Sequence, residues 1–420
     1  MLFAGLKFEL SLLPGLEQIL LFLWKEKIIQ PKLKETTMSK ELYFTKDHQL
    51  VRNAVADFIK REINPNVDAW EEAGLIPLHD LFKKMGELGF LGIRYDTKYG
   101  GEGLDYWYEL VFLEEIAKIQ AGGVALAMMV QTNMATPAIY DFGSQYLKET
   151  YLEPALKGRM VAAIAVTEPD AGSDVAALKT RAEKQGDHYL LNGSKTYITN
   201  GTQADFLTLL ARTSDEPGYH CFSLFVVPTN IEGFHVSKKL DKLGMRSSDT
   251  AELFFDNMKI PVENLIGKEG EGFIQQMMQF QHERFSALPL AYGTAEMIIK
   301  ETVEYLKQRI VFGKPLIKKQ VIRHSLAQWV SEIQAVKQLT YHIVRLKMAG
   351  QDVSKEVSMG KLLAAQLVQK VADGCLQYYG GLGFINEMRI SRFFRDSKLI
   401  SIGGGADEVM KDIIAKLEGY

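Results

Sequence analysis

The hydrophobic period of this chain changes twice, and that limits what it can fold into. Before Met160, apolar residues recur at helix spacing: Leu50, Val51, Val55, Phe58 and Ile59, then Leu81, Met85, Leu88 and Leu91, then the runs Tyr106 to Ala117 and Val124 to Met134. From Met160 the pattern is that of strands. Phe206 to Leu210, Cys221 to Val227, Phe234 to Val236 and Glu252 to Phe255 are short apolar runs, with Glu216-Pro217-Gly218 as a turn. His188 to Leu191 and Ser194 to Thr199 flank Asn192-Gly193, which predicts a hairpin there, because both residues tolerate positive φ. From Phe273 the helical period returns. Phe273, Met277, Phe280, Ala287, Ala291 and Ile298 form one stripe, and Pro289 within it predicts a kink or local break. Ser325 to Lys347, Ser358 to Tyr378 and Asp407 to Leu417 follow; long helices with short links predict an antiparallel bundle. The order is helices, a compact β-domain, then a bundle.

Size and composition agree. At 420 residues there is material for two to three domains. A net charge of -3 with no basic tail gives no footing for nucleic acid. Cys221 and Cys375 lie far apart and have no partner spacing, so neither a disulfide framework nor a metal site is expected. Residues 1–37 are unlike the rest. Leu10 to Trp24 is apolar but interrupted by Pro14 and Glu17, and is too short to span a bilayer, so no stable membrane insertion is expected. Acidic residues at 9, 17, 26 and 35 and the lack of arginine argue against a mitochondrial transit peptide. The expectation is that Met38 is the natural start and 1–37 an upstream extension.

Three stretches carry candidate chemistry. Val161 to Val166 leads into Thr167-Glu168-Pro169-Asp170-Ala171-Gly172-Ser173-Asp174, a buried strand opening into a polar loop, where scaffolds display chemistry. Lys195-Thr196-Tyr197-Ile198-Thr199-Asn200-Gly201 is a second polar strand end. Together they would set a tyrosine ring and several hydroxyls around one small volume; two ordinary loops of a β-domain would read the same. Second, Glu283-Arg284 interrupts the first bundle helix, where the helix neighbours of Glu283 are Phe280, Ala287 and Leu290. Burial would raise its pKa toward that of a useful base, while a basic partner from another helix would make it structural. Third, Ile402-Gly403-Gly404-Gly405-Ala406-Asp407-Glu408 puts three glycines before a helix, allowing close backbone approach to a ligand. Gln131-Thr132-Asn133, at the end of an apolar helix, could line a pocket or cap a buried helix end.

Taken together these stretches resemble the acyl-CoA dehydrogenase family over about Asp47 to Ile414. The resemblance rests on Thr167-Glu168-Pro169 with Ala171-Gly172-Ser173-Asp174; on Tyr197-Ile198-Thr199-Asn200-Gly201; on Arg309 with Phe312-Gly313-Lys314 and Gln320; on Gln377 with Gly380-Gly381; and on Arg395-Asp396. It implies a multidomain α+β fold: an N-terminal all-α domain over 38–159, a middle β-barrel-like domain over 160–265 and a C-terminal four-helix bundle over 266–420. It also implies FAD as cofactor, an acyl-CoA substrate, an electron-transfer flavoprotein as acceptor, and a homotetramer built as a dimer of dimers. The location implied is the cytoplasm in a bacterium or the mitochondrial matrix in a eukaryote. Val166, Thr167, Ser173, Tyr197, Ile198 and Thr199 would line the flavin, with Ser173 also meeting the acyl-CoA. Arg309, Phe312, Gln320, Gln377, Gly380 and Gly381 would hold the rest of FAD across a subunit interface, and Ala406 and Glu408 fall at flavin-contacting positions.

One departure sets the chemistry. Many members carry their catalytic glutamate where this chain has Gly404, which removes no proton. Isovaleryl-CoA and long-chain acyl-CoA dehydrogenases share that loss and place the base on the bundle helix before an arginine, the position of Glu283-Arg284. The resemblance therefore implies Glu283 as base, Gly404 as the backbone N–H donor to the thioester oxygen, and Arg284 and Gly405 beside the substrate. Long or branched acyl chains are expected. Asp105-Tyr106-Trp107-Tyr108, Val130 to Pro137 and Gly403 to Val409 are similar to bacterial dehydrogenases of citronellyl-CoA-like branched acyl groups. An acyl-CoA oxidase and a non-catalytic acyl-CoA or flavin-binding protein are the alternatives.

Overall fold

A computed structural model describes residues 43–420; the expectations about residues 1–37 and Met38 lie outside the described residues. The chain divides into two units, 1–49 and 50–420, and the second carries everything below. Its main N-terminal helices, after α1 (Lys46–Phe58), are α2 (Val67–Ala73), α3 (Leu78–Glu87), α4 (Tyr106–Ile116), α5 (Gly122–Met129) and α6 (Pro137–Phe142). Between α5 and α6 the helix widens into a π-helical segment, Val130–Ala135. That segment packs against both the sheet and the first bundle helix, so it sits where the three domains meet.

Eight strands follow: β1 (Ala162–Ala165), β2 (Arg181–Gln185), β3 (His188–Thr199), β4 (Phe206–Arg212), β5 (Phe222–Pro228), β6 (Phe234–Lys239), β7 (Thr250–Pro261) and β8 (Leu265–Ile266). They form one sheet in the order β6-β7-β3-β2-β4-β5-β8, with β1 alongside β4 in parallel. Alternation gives the sheet two buried faces. Phe206, Leu210, Phe222, Leu224 and Val226 meet the N-terminal helices. Leu207, Leu209, Phe225 and Val227 join Tyr189, Leu191 and Phe255 in a second core. The rings of Tyr189 on β3 and Phe225 on β5 have centroids 4.8 Å apart. Those strands are three places apart, about 14 Å in a flat sheet. The sheet therefore curls around its second core, which makes the domain barrel-like.

The expected hairpin at Asn192-Gly193 does not form. β3 runs straight through it, and the turn is the two-residue Gly186-Asp187 link between Gln185 and His188. Asn192-Gly193 instead makes a bulge against β7. The Asn192 side chain accepts a bond from the Asn257 N–H at 2.8 Å, and a Cβ on Gly193 would strike Thr180. The permissive backbone serves a kink within a strand rather than a reversal.

The bundle consists of α7 (Gly272–Gln308), α8 (Gln320–Met348), α9 (Ser354–Tyr379) and α11 (Asp407–Glu418), with the short α10 (Arg389–Ser397) before α11. α9 packs against α7, α8 and α11. α7 continues through Pro289 without a break; the buried apolar face on either side, from Phe285 to Ile299, holds the turn that lacks one N–H. Two buried carboxylates bind the domains together. Glu114 of α4 accepts from Arg52 at 2.7 Å, from Tyr292 of α7 at 2.8 Å and from Tyr341 of α8 at 3.0 Å. Asp396 of α10 accepts from the N–H of Gly122 at the start of α5 at 3.0 Å and from the N–H of Met245 in the β-domain. No helix among the described residues is long and apolar enough to cross a membrane.

Candidate active site

The first strand end is built around Glu168. Its carboxylate is buried and pairs with Lys195, 1% exposed, at 2.9 Å. It also accepts the N–H groups of Lys179 at 2.7 Å and Thr180 at 2.9 Å. Burial pushes the carboxyl up, but Lys195 and these donors outweigh it and hold it below the usual range. The Lys195 ammonium donates as well to the Val166 carbonyl at 2.8 Å. The Thr196 N–H donates to the Thr167 carbonyl at 2.9 Å, so the two polar strand ends are side by side, as the sequence suggested.

The second strand end carries strain. The β3–β7 register shifts between Lys195 and Ile198, and Tyr197 sits at φ 60 with its ring 68% exposed. A non-glycine residue in the left-handed region carries backbone strain and is concentrated at functional sites. Here the strain turns an aromatic ring outward beside the cradle. The Thr167, Ser173 and Thr199 hydroxyls and the Tyr197 phenol meet no partner among the described residues, so all four are open to solvent or a ligand. A flavin, with a flat ring and many hydrogen-bonding atoms, fits this set. Val166 is buried beneath it. Ile198 points into the inner core, so only its backbone reaches the cradle.

Glu283 lies on α7 with its side chain half-buried. Its carboxylate takes no ion pair and no hydrogen bond from the described residues. Burial lifts it to about 6, opposed by the charges of Arg284 and Lys361. A Cβ placed on Gly404 would stand 3.2 Å from Glu283 Oε1, so the glycine loop lies against the carboxylate. Gly404 has φ 67 and Gly405 φ 100, conformations that glycine adopts without strain. The Gly404 N–H has no acceptor among the described residues. Its carbonyl accepts from Arg284 Nε at 3.0 Å, and the Gly405 carbonyl accepts from Lys361. Ala406 is the N-cap of α11, and Glu408 is exposed.

The remaining motif residues gather elsewhere. Arg309, Phe312, Gln320, Gln377, Gly380 and Gly381 are all exposed at one end of the bundle, brought together where Tyr305 and Tyr379 stack with centroids 4.2 Å apart. Phe312 is 91% exposed at φ 50. From Glu283 to Arg309 the helix rises about 39 Å, so this cluster stands well away from the carboxylate in the same chain. Arg395-Asp396 is structural, since Asp396 is the domain tie described above. Gln131 is structural too: its amide donates to the Ala155 and Met160 carbonyls at 3.1 and 2.9 Å and accepts from the Ala162 N–H at 2.7 Å. Lys195 was quoted only as the first residue of its polar stretch, with no role given, and Lys361 was not singled out in the sequence. Lys361 interrupts an apolar helix face just as Glu283 does, and that signal could have found it.

Comparison with known proteins decides the family. Models of the acyl-CoA dehydrogenase N-terminal, middle and C-terminal domains match residues 45–159, 163–258 and 270–418. The chain belongs to the acyl-CoA dehydrogenase family. It is 38% identical to an acyl-CoA dehydrogenase of Bacillus subtilis, over 89% of this chain and 98% of that protein. It is 34% identical to the mitochondrial isovaleryl-CoA dehydrogenase of Pongo abelii, over 89% and 88%. A crystal structure of a probable acyl-CoA dehydrogenase from Mycobacterium abscessus superposes with a TM-score of 0.87 at 40% identity, covering 90% of this chain and all of that one. Membership brings the three-part fold, oxidoreductase chemistry and dependence on FAD that the motifs implied.

Proposed function

We propose that Glu283 removes the α-proton of an acyl-CoA thioester bound against the glycine loop, giving the trans-2-enoyl-CoA. The supporting observation is its carboxylate: unpaired among the described residues, raised to about 6 by burial, and so close to Gly404 that a Cβ there would stand 3.2 Å from it. At neutral pH it is ionised, and its desolvation makes it a stronger base than a carboxylate in water. The free Gly404 N–H donates to the thioester oxygen, which gains negative charge as the proton leaves. Arg284 and Gly405 border the same space. FAD, when bound, accepts the β-hydride. The ring of Tyr197 and the hydroxyls of Thr167, Ser173 and Thr199 would hold and orient the flavin, with Val166 and the Ile198 backbone beside them. Ser173, exposed at the loop tip, also meets the acyl-CoA. Ala406 and Glu408 stand at the opposite wall.

The distant cluster of Arg309, Phe312, Gln320, Gln377, Gly380 and Gly381 is too far along α7 for one dinucleotide to reach both places in one chain. It serves the FAD of a second copy, within a homotetramer built as a dimer of dimers; the Arg309 fork suits a pyrophosphate. An electron-transfer flavoprotein takes the electrons. A loop without side chains beside the base leaves that flank of the acyl chain open, which suits long or branched chains. Anaerobic addition of acyl-CoA thioesters of graded length and branching to the FAD-loaded protein is expected to bleach the flavin, most strongly with long or branched chains. If no thioester bleaches it, the proposal fails.

A further inference from the structure

A loop of three glycines has little to hold it in place, since glycine loses the most conformational freedom on ordering. Here two cations from different helices grip successive carbonyls. Arg284 of α7 donates to Gly404, and Lys361 of α9 donates to Gly405. Lys361 is 1% exposed, and no carboxylate among the described residues lies within ion-pair distance of its ammonium. A lysine buried in this way is rare unless it is paired. The charged groups around it are Glu283 and Arg284 from α7, and Asp407 and Glu408 from the start of α11.

We propose that Lys361 is a positioning residue of this site: with Arg284 it clamps the Gly404–Gly405 backbone against Glu283, and its charge keeps that carboxylate ionisable. The proposal rests on the reading of Glu283 as base and Gly404 as donor to the thioester oxygen. The two bonds fix the 404–405 and 405–406 peptide planes, and through the Gly404 Cα they restrain the adjoining plane that carries the Gly404 N–H. The charge acts separately. Burial draws Lys361 down to about 8, so it remains a cation through the range near pH 6 where Glu283 titrates. Its field favours the ionised base.

Three substitutions separate the two effects in the FAD-loaded protein, and amide exchange at Gly403, whose N–H donates to the Leu399 carbonyl at 2.8 Å, reads the clamp without any turnover. In Lys361→Met the loop is expected to exchange roughly tenfold faster, as a lost hydrogen bond implies. The acid limb of the bleaching rate is expected to move to higher pH, and the limiting rate to fall about tenfold. Lys361→Gln, a neutral donor, is expected to shift the limb with little change in exchange. Lys361→Arg is expected to restore the limb. Unchanged exchange and an unchanged limb in Lys361→Met, in a protein that still melts cooperatively, would overturn the proposal. A wild-type protein that never bleaches would sink the function above instead, while loop exchange would still report on the clamp.

Discussion

Glu168 and Glu283 are two of the carboxylates that the sequence sets beside candidate chemistry, the first buried and the second half-buried. Glu168 is matched by a buried lysine and two backbone donors, and its proton affinity falls. Glu283 is matched by nothing within bonding distance among the described residues, and its pKa rises to about 6. The difference separates structure from chemistry. A carboxylate with several donors bound to it holds a loop in place; one whose lone pairs are free can take a proton.

The contrast can be broken most severely at Glu283. Glu283→Gln is expected to slow acyl-CoA-dependent bleaching by about 10²- to 10⁴-fold, the usual worth of a positioned base, while acyl-CoA still binds. Stopped-flow absorbance with equilibrium titration checks both, and full-rate bleaching would place the base elsewhere. Glu168→Gln is expected to act on folding instead. It strands the Lys195 ammonium, and breaking a buried pair costs about 3–5 kcal/mol; denaturant unfolding and FAD retention would register it. Gly404→Ala is a milder probe. It forces a side chain to φ 67 with its Cβ 3.2 Å from Glu283 Oε1, an expected loss of about 1–2 kcal/mol from backbone strain alone, together with a slower limiting rate.

The smallest effects sharpen the contrast through pH. The rate of bleaching is expected to fall tenfold per unit below about pH 6, as Glu283 takes up its proton. Stability should respond in opposite senses at the two sites. Glu283 binds its proton more tightly when folded. Its contribution is therefore full below the unfolded carboxylate value and is lost as pH rises through about 6. Above pH 6, Glu283→Gln should be more stable than the wild type by about 1–2 kcal/mol, a rise in melting temperature that disappears near pH 4. Glu168 has a depressed value, so its contribution is present above the unfolded value and is lost as the solution is acidified.

The order of helices, sheet and bundle was legible because burial on one face imposes a period that the sequence must carry. Glu283 stood out for the converse reason, as a charge that breaks an apolar stripe, but the stripe alone left a structural ion pair open and only the family resemblance implied a base. What could not be read were matters of pairing across the fold. Asn192-Gly193 has the local chemistry of a turn, and only β7 alongside it shows that the same backbone freedom makes a bulge. Gln131 read equally as a pocket residue or as part of a buried helix end, and only the carbonyls of Ala155 and Met160 make it structural. Pro289 has the chemistry of a helix breaker, yet it is overruled by the packing on both sides. The ion pair of Glu168 and Lys195 joins residues far apart in sequence, and nothing local to either one announces the other.

The Asp396 tie has a consequence for how the molecule is made. Its carboxylate bonds to the first turn of α5 and to the Met245 loop, both of which leave the ribosome well before it does. Chain emerges at roughly 5–20 residues per second. For the many seconds between the synthesis of Gly122 and that of Asp396, the entry to α5 lacks this acceptor. The nascent N-terminal domain can collapse early, but this seam closes only when α10 arrives, so the last domain synthesised completes the first.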